Sequence, residues 1–139
     1  GASLADVAAS NGISTSSSST TTSSIDEKEL KKQERERENR YKKALKDRET
    51  DLKTSLIALD AQYTSGEIKY TEFLEKRYKA LQDGYDKQLE LMRNYNKADT
   101  SEYDNVIAKK QEADADYLKS KTALDLKELE RQKTIEQAK

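Results

Sequence analysis

The chain contains no cysteine, histidine, proline or tryptophan, and it has a single phenylalanine and a single methionine. Without cysteine it can form neither disulfides nor thiolate metal sites. Without histidine it lacks the commonest metal ligand and general base. No apolar run approaches the roughly 20 residues that a membrane-spanning helix needs. These absences argue against an enzyme, and we predict no catalytic residue, no bound metal and no cofactor.

Charged residues, in contrast, are abundant and balanced. Lys and Arg number 26, Asp and Glu number 27, and charged residues make up 38% of the chain. This balance argues against nucleic acid as the main partner, because a basic surface drives that binding. Interleaved opposite charges with periodic apolar residues favour long solvated helices. We predict an all-α fold of long amphipathic helices that form a helical hairpin or coiled coil.

The N-terminal part has a different composition, since residues 14–24 are all Ser or Thr. Such a tract has no apolar anchor, so we predict a disordered Ser/Thr-rich linker over residues 1–24. Ser24 followed by Glu27 fits a capping box and predicts a first helix over about residues 25–64. A linker of this kind leads us to expect a segment of a longer protein.

Gly66 is the first glycine after Gly12, and it directly follows a long periodic segment. Glycine just past the last periodic residue commonly ends a helix, because it enters the left-handed region without a steric penalty. Ile68 and Phe73 then restart the apolar pattern. We predict a tight turn and a second helix over about residues 69–95 that folds back on the first.

A second break follows the tyrosine-bearing second helix, at Asn94–Glu102. Asn ends helices tolerably, and Asp99 with Glu102 forms a capping box, which predicts a third helix over about residues 100–138. Gly84 within the second helix marks either a kink or a close crossing. Whether the chain folds back or continues straight at Gly66 and at Asn96 stays open.

The apolar positions predict which residues pack between the helices. In the first helix they recur at spacings that sum to eleven, which favours straight or slightly right-handed packing. In the second they follow a heptad pattern with tyrosines at alternate positions. The predicted residues, called the helix-packing seam below, are Leu45, Leu52, Leu56, Leu59, Tyr63, Leu74, Tyr78, Leu81, Tyr85 and Met92.

Two patterns of acidic residues suggest metal chemistry, and we interpret both otherwise. Gly66, Ile68 and Glu72 match the second half of a calcium-binding EF-hand loop, but its first half would require carboxylates where Ala61 and Tyr63 stand. The second pattern is read as solvated helix surface and comprises Asp104, Glu112, Asp114 and Asp116.

The segment Leu56–Leu81 resembles a unit that recurs in tail tape-measure proteins of siphophages and prophages, notably those of Bacteroidetes hosts. The shared features are leucines, a spacer, a Gly-x-Ile turn, an acidic residue followed by an aromatic one, and a basic helix. The turn is also similar to bacterial oligomerisation hairpins of the SHOCT type, with matches at Gly66, Ile68, Glu72 and Phe73. Lys69 departs from the usual Thr or Ser, so the second helix lacks the expected cap.

The tape-measure resemblance implies a structural role in the virion tail, after assembly in the bacterial host cytoplasm. It implies an extended helical homo-oligomer that sets tail length, with tube protein, tail tip and assembly chaperones as partners. The alternative is a cytoplasmic coiled-coil adaptor or oligomerisation module. In that interpretation a partner helix binds to Leu74, Leu81 and Met92.

Overall fold

The computed structural model describes the backbone of residues 15–138 and the side chains of residues 26–138. Within this range the chain forms three helices and no strand: α1 (Thr15–Thr64), α2 (Tyr70–Asn94) and α3 (Ser101–Ala138). The predicted all-α fold is confirmed. The chain divides into two compact units, residues 1–42 and residues 43–139.

At the two breaks, the observed helix ends lie within one residue of those predicted from the sequence. The first helix, however, begins earlier than its predicted start. α1 begins at Thr15 rather than near residue 25. Neither glycine nor proline interrupts the chain between Gly12 and Gly66, and each added residue contributes one hydrogen bond to an existing helix. Of the predicted linker, residues 1–14 lie outside the described residues, and its flexibility stays a prediction.

The first unit contributes the charged half of α1. Its described side chains from residue 26 to residue 40 are nearly all exposed, and Leu30 is 55% exposed. Acidic residues precede basic ones by four positions at Glu27–Lys31 and Glu36–Arg40, a spacing that adds a few tenths of a kcal/mol per pair. Tyr41, in contrast, is buried.

The second unit is folded by two turns of the same type, and the first lies at Gly66. Gly66 has φ 81°, in the left-handed region. Its N–H donates to the Tyr63 carbonyl (3.0 Å), and the Glu67 N–H donates to the Gln62 carbonyl (2.9 Å). This pair of bonds is the Schellman motif, which satisfies the last carbonyls of α1. The predicted glycine stop is confirmed.

The second turn repeats this geometry with asparagine. Asn96 has φ 58°, its N–H donates to the Arg93 carbonyl (3.1 Å), and the Lys97 N–H donates to the Met92 carbonyl (2.7 Å). α3 then begins with Thr100 as its cap, because the Thr100 Oγ1 accepts from the Tyr103 N–H (3.2 Å). The predicted cap at Asp99 is therefore wrong by one position.

The turns place the helices of the second unit in antiparallel order. Leu52 of α1 lies against Gly84 of α2, whereas Tyr63 lies against Tyr70 and Phe73 near the start of α2. α2 and α3 likewise run antiparallel, since their side-chain hydrogen bonds run from Tyr78–Asp114 to Arg93–Tyr103. Residues 43–64 of α1 consequently run parallel to α3.

The core contains residues from all three helices. Leu52, Leu81 and Ala113 form a buried cluster, and Leu56 and Tyr85 pack against it. The remaining side chains of the predicted helix-packing seam range from buried (Met92) through half-buried (Leu45, Leu59, Leu74 and Tyr78) to exposed (Tyr63). Buried residues of the second unit outside the predicted seam are Ile68, Gln88, Leu89, Leu91, Val106 and Ala113.

Gly84 marks a close crossing of α1 and α2. A Cβ at this position would lie 2.7 Å from Leu52 Cδ1 and 3.0 Å from both Cδ2 and Cγ of the same residue. Two carbons do not approach so closely, so any larger residue would force Leu52 to move within the core. Glycine at this position costs about 1 kcal/mol of helix stability against alanine, and in exchange it lets Leu52 approach α2.

We expect Gly66→Ala to destabilise the second unit by about 1 kcal/mol, because alanine is strained at positive φ. A Cβ at this position meets no neighbouring atom within 4 Å, so the cost is confined to the backbone. Gly66→Asn is the matched control and should cost less, since asparagine adopts this conformation at the other turn. Urea denaturation followed by circular dichroism measures both, and an unchanged midpoint for Gly66→Ala contradicts the turn geometry.

We expect Gly84→Ala to destabilise the protein by about 1 kcal/mol, because overpacking of about 1–3 kcal/mol exceeds the gain in helix propensity. In a Leu52→Ala background the steric conflict is removed. The same Gly84→Ala change should then stabilise by up to about 1 kcal/mol. Denaturation of all four proteins gives the coupling free energy, and the same sign in both backgrounds would exclude the close crossing.

Candidate functional site

The four residues of the turn pattern have distinct structural positions around the α1–α2 junction. Gly66 is exposed at the bend, and Ile68 directly after it is buried. Glu72 forms an ion pair with Lys76 (2.8 Å) on the surface of α2. Phe73 points back toward α1 and stacks on Tyr63, with ring centroids 4.8 Å apart and an interplanar angle of 20°. The four residues of the pattern therefore all lie at the turn of the α1–α2 hairpin or in the first helical turn after it.

Three aromatic rings close this end of the second unit. Besides the Tyr63–Phe73 stack, the Tyr70 ring lies 5.7 Å from Tyr63 and 6.4 Å from Phe73, measured between centroids. Tyr63 and Tyr70 are each 41% exposed. The seam prediction placed Tyr63 between the helices, and its ring, one residue before the end of α1, packs on Tyr70 and Phe73 at the start of α2. Tyr70 was not predicted as a packing residue.

The two sequence patterns that suggest metal chemistry do not bring metal ligands together in the part of the chain that the structure describes. Among the described residues, no group of three or more His, Cys, Asp or Glu side chains lies close enough to hold a metal ion. At the turn, Glu72 is engaged by Lys76. The N-terminal end of α2 has Lys69 as its cap residue without a side-chain hydrogen bond, as the departure from Thr or Ser predicted.

A set of polar side chains joins α2 to α3 along one side of their interface; we call it the polar ladder. The Tyr78 hydroxyl donates to Asp114 Oδ1 (2.6 Å), and Gln82 Nε2 donates to the same oxygen (2.8 Å). One helical turn further along, Lys110 forms an ion pair with Asp86. These bonds join residues more than twenty positions apart in sequence, so they determine how α2 and α3 align.

The sequence analysis did not predict the polar ladder, and the ladder contradicts the surface position expected for Asp114. Asp114 was assigned to a solvated surface, but it is half-buried and accepts two hydrogen bonds from α2. Asp104, Glu112 and Asp116 are exposed, as that interpretation requires. The signal in the sequence is the position of Asp114 one residue after the buried Ala113 and three before Tyr117, on the edge of the inner face of α3.

Tyr78 is the centre of this interface. Its ring stacks on Tyr117, with centroids 4.3 Å apart and an interplanar angle of 15°. The hydrogen bond to Asp114 raises the pKa of the Tyr78 hydroxyl above its ordinary value, and burial and the negative charge of Asp114 act in the same direction. Burial also raises the pKa of Tyr85, on the core side of α2.

The arrangement aligns α2 with α3. The phenol is held in its neutral, donating form by Asp114, and both partners are oriented along the helix interface. Glu128 and Arg131 form an exposed ion pair near the C-terminal end of α3, and the hydrogen bond from Arg131 lowers the pKa of Glu128.

We expect Tyr78→Phe to lower the melting temperature and to weaken the loss of stability at alkaline pH. The pKa of Tyr78 is raised in the folded state, so its hydroxyl adds stability at pH values below about 10, the pKa of tyrosine in the unfolded chain. This added stability is lost as the pH rises through the folded-state pKa. Tyr85 still titrates in this variant, so part of the alkaline loss should remain. Thermal melts from pH 7 to 11 measure both effects.

Tyr70→Phe is the matched control, because this exposed hydroxyl lies outside the polar ladder. It should leave the pH profile of stability unchanged. An identical alkaline profile for Tyr78→Phe and the wild type would contradict the role of the Asp114 hydrogen bond.

In the part of the chain that the structure describes, none of the helices has a stretch both long and apolar enough to cross a membrane. Comparison of the chain with known protein families, curated proteins and solved structures gives no match.

Proposed function

We propose that this chain is a structural assembly protein, a helical segment of a phage tail tape-measure protein that sets tail length and scaffolds the tail tube. The observation that carries the proposal is the Gly66 hairpin. All four residues of the tape-measure-like pattern serve one local structure there, with left-handed Gly66, buried Ile68, paired Glu72 and stacked Phe73. The charge-balanced helices around it supply length and solubility.

The hairpin form has a direct consequence for a protein that measures length. The three helical segments of the second unit lie side by side, so its length is bounded by α3, whose 38 residues span about 60 Å at 1.5 Å per residue. If both turns opened into one continuous helix, residues 43–138 would span about 140 Å. The two forms therefore predict different contributions to a tail.

We expect in-frame deletion of residues 43–138 to shorten the tails of the phage by about 60 Å if the segment stays folded in the tail, and by about 140 Å if it is extended. Negative-stain electron microscopy of many purified tails measures the mean length. Gly66→Asn, which keeps the chain at its full length, is the control and should leave tail length unchanged. Tails of unchanged length after the deletion would contradict the proposal.

Mass spectrometry of purified particles should precede this experiment. Tryptic peptides from residues 41–139 in intact virions support the tail role. Their absence from virions and presence in cell lysate favour the cytoplasmic adaptor. In that alternative the partner helix was assigned to Leu74, Leu81 and Met92, but Leu81 is 6% exposed and Met92 is 2% exposed within the unit. Such a partner would have to displace α1 or α3.

A further inference from the structure

The outer side of the α1–α2 pair carries an open groove of about 470 Å³. Its described lining comes from α1 and α2 alone, and α3 packs against other faces of these helices. The groove is lined by Leu52, Leu59 and four small residues, Ser55, Ala58, Ala80 and Gly84, of which Gly84 is packed against Leu52. Small side chains of this kind let another helix approach closely.

The rim of the groove is charged and predominantly basic. Four cationic side chains and two carboxylates line it: Arg48, Lys76, Lys79, Lys87, Asp51 and Asp83. Lys76 is already paired with Glu72 (2.8 Å), so the cations that face an occupant's carboxylates are Arg48, Lys79 and Lys87.

α3 presents a helix face of this character on its outer side. Leu118, Leu126 and Leu129 are 63%, 56% and 60% exposed, which makes them three of the most exposed large apolar side chains of the described chain. At 100° per residue they fall within about 80° of one another around the helix. Asp125 and Glu136 lie on the same side, with Lys133 as the cation among them.

The two surfaces are comparable in length and opposite in charge. The groove extends along α1 from Arg48 to Gln62, about 20 Å of helix, and the leucine face with its two carboxylates extends along α3 from Leu118 to Glu136, about 27 Å. We propose that the α1–α2 groove of one copy of this chain binds the leucine face of α3 from a second copy. The basic rim then meets Asp125 and Glu136.

The groove and the leucine face are different surfaces of one unit, so this contact is heterologous. A heterologous contact joins copies head to tail and gives either a ring or an open series, in contrast to a symmetric dimer that uses one patch twice. The interface follows from the surfaces alone and holds whether the chain belongs to a phage tail or is a cytoplasmic adaptor.

The test uses two substitutions at exposed positions of the full chain. Leu129→Glu removes the centre of the leucine face, and Ala58→Glu fills the groove. The matched controls are Leu30→Glu and Ala61→Glu, which alter exposed residues of the same types outside both surfaces. Circular dichroism first verifies that each variant retains its helicity.

Sedimentation velocity across a wide concentration range then gives the assembly state. We expect the wild type and both controls to self-associate, and each test variant alone to associate about tenfold or more weakly. Mixed in equal amounts, the two test variants should form a one-to-one heterodimer, because the mixture holds one intact groove and one intact leucine face.

Three results would overturn the proposal. The first is a wild type that stays monomeric at every concentration. The second is equal weakening by the control substitutions. The third is a mixture that stays monomeric although each variant alone has lost association, which is the result that a symmetric interface produces.

Discussion

The second unit depends on two residues held in the left-handed region. Gly66 and Asn96 end their helices with the same pair of backbone hydrogen bonds, and both redirect the chain sharply backward. Everything else in the unit presupposes this reversal, because the apolar faces of α1, α2 and α3 meet only after the chain has turned twice. The two turns differ in cost, since asparagine tolerates positive φ and glycine is unstrained by it.

Once the helices are antiparallel, two different interactions decide their alignment. At the α1–α2 contact the absence of a side chain at Gly84 lets Leu52 approach, so alignment is a matter of shape. At the α2–α3 contact Asp114 accepts from Tyr78 and Gln82, so alignment is a matter of pairing polar groups. A heptad pattern alone would tolerate a shift by seven residues, whereas these two contacts do not.

Local signals in the sequence predicted most of the fold. The ends of α1 and α2 could be predicted from Gly66 and Asn96. The left-handed conformation that ends a helix favours these two residue types, so the prediction does not require knowledge of the partner helices. The capping box at Ser24 predicted a helix start near residue 25, and this pattern is equally compatible with the interior of the longer α1 that begins at Thr15. Side-chain burial along the predicted seam followed from periodicity except at Tyr63, where α1 ends.

The polar ladder could not have been predicted in the same way. The role of Asp114 depends on which residues of α2 stand opposite, and that is known only when the turn at Asn96 and the register of the hairpin are known. The odd number of helical passes has a further consequence. A chain that crosses the second unit three times enters at one end and leaves at the other. Tension between those two points therefore acts as shear along the helix axes, and the Gly84–Leu52 contact, the polar ladder and the core cluster of Leu52, Leu81 and Ala113 all resist it.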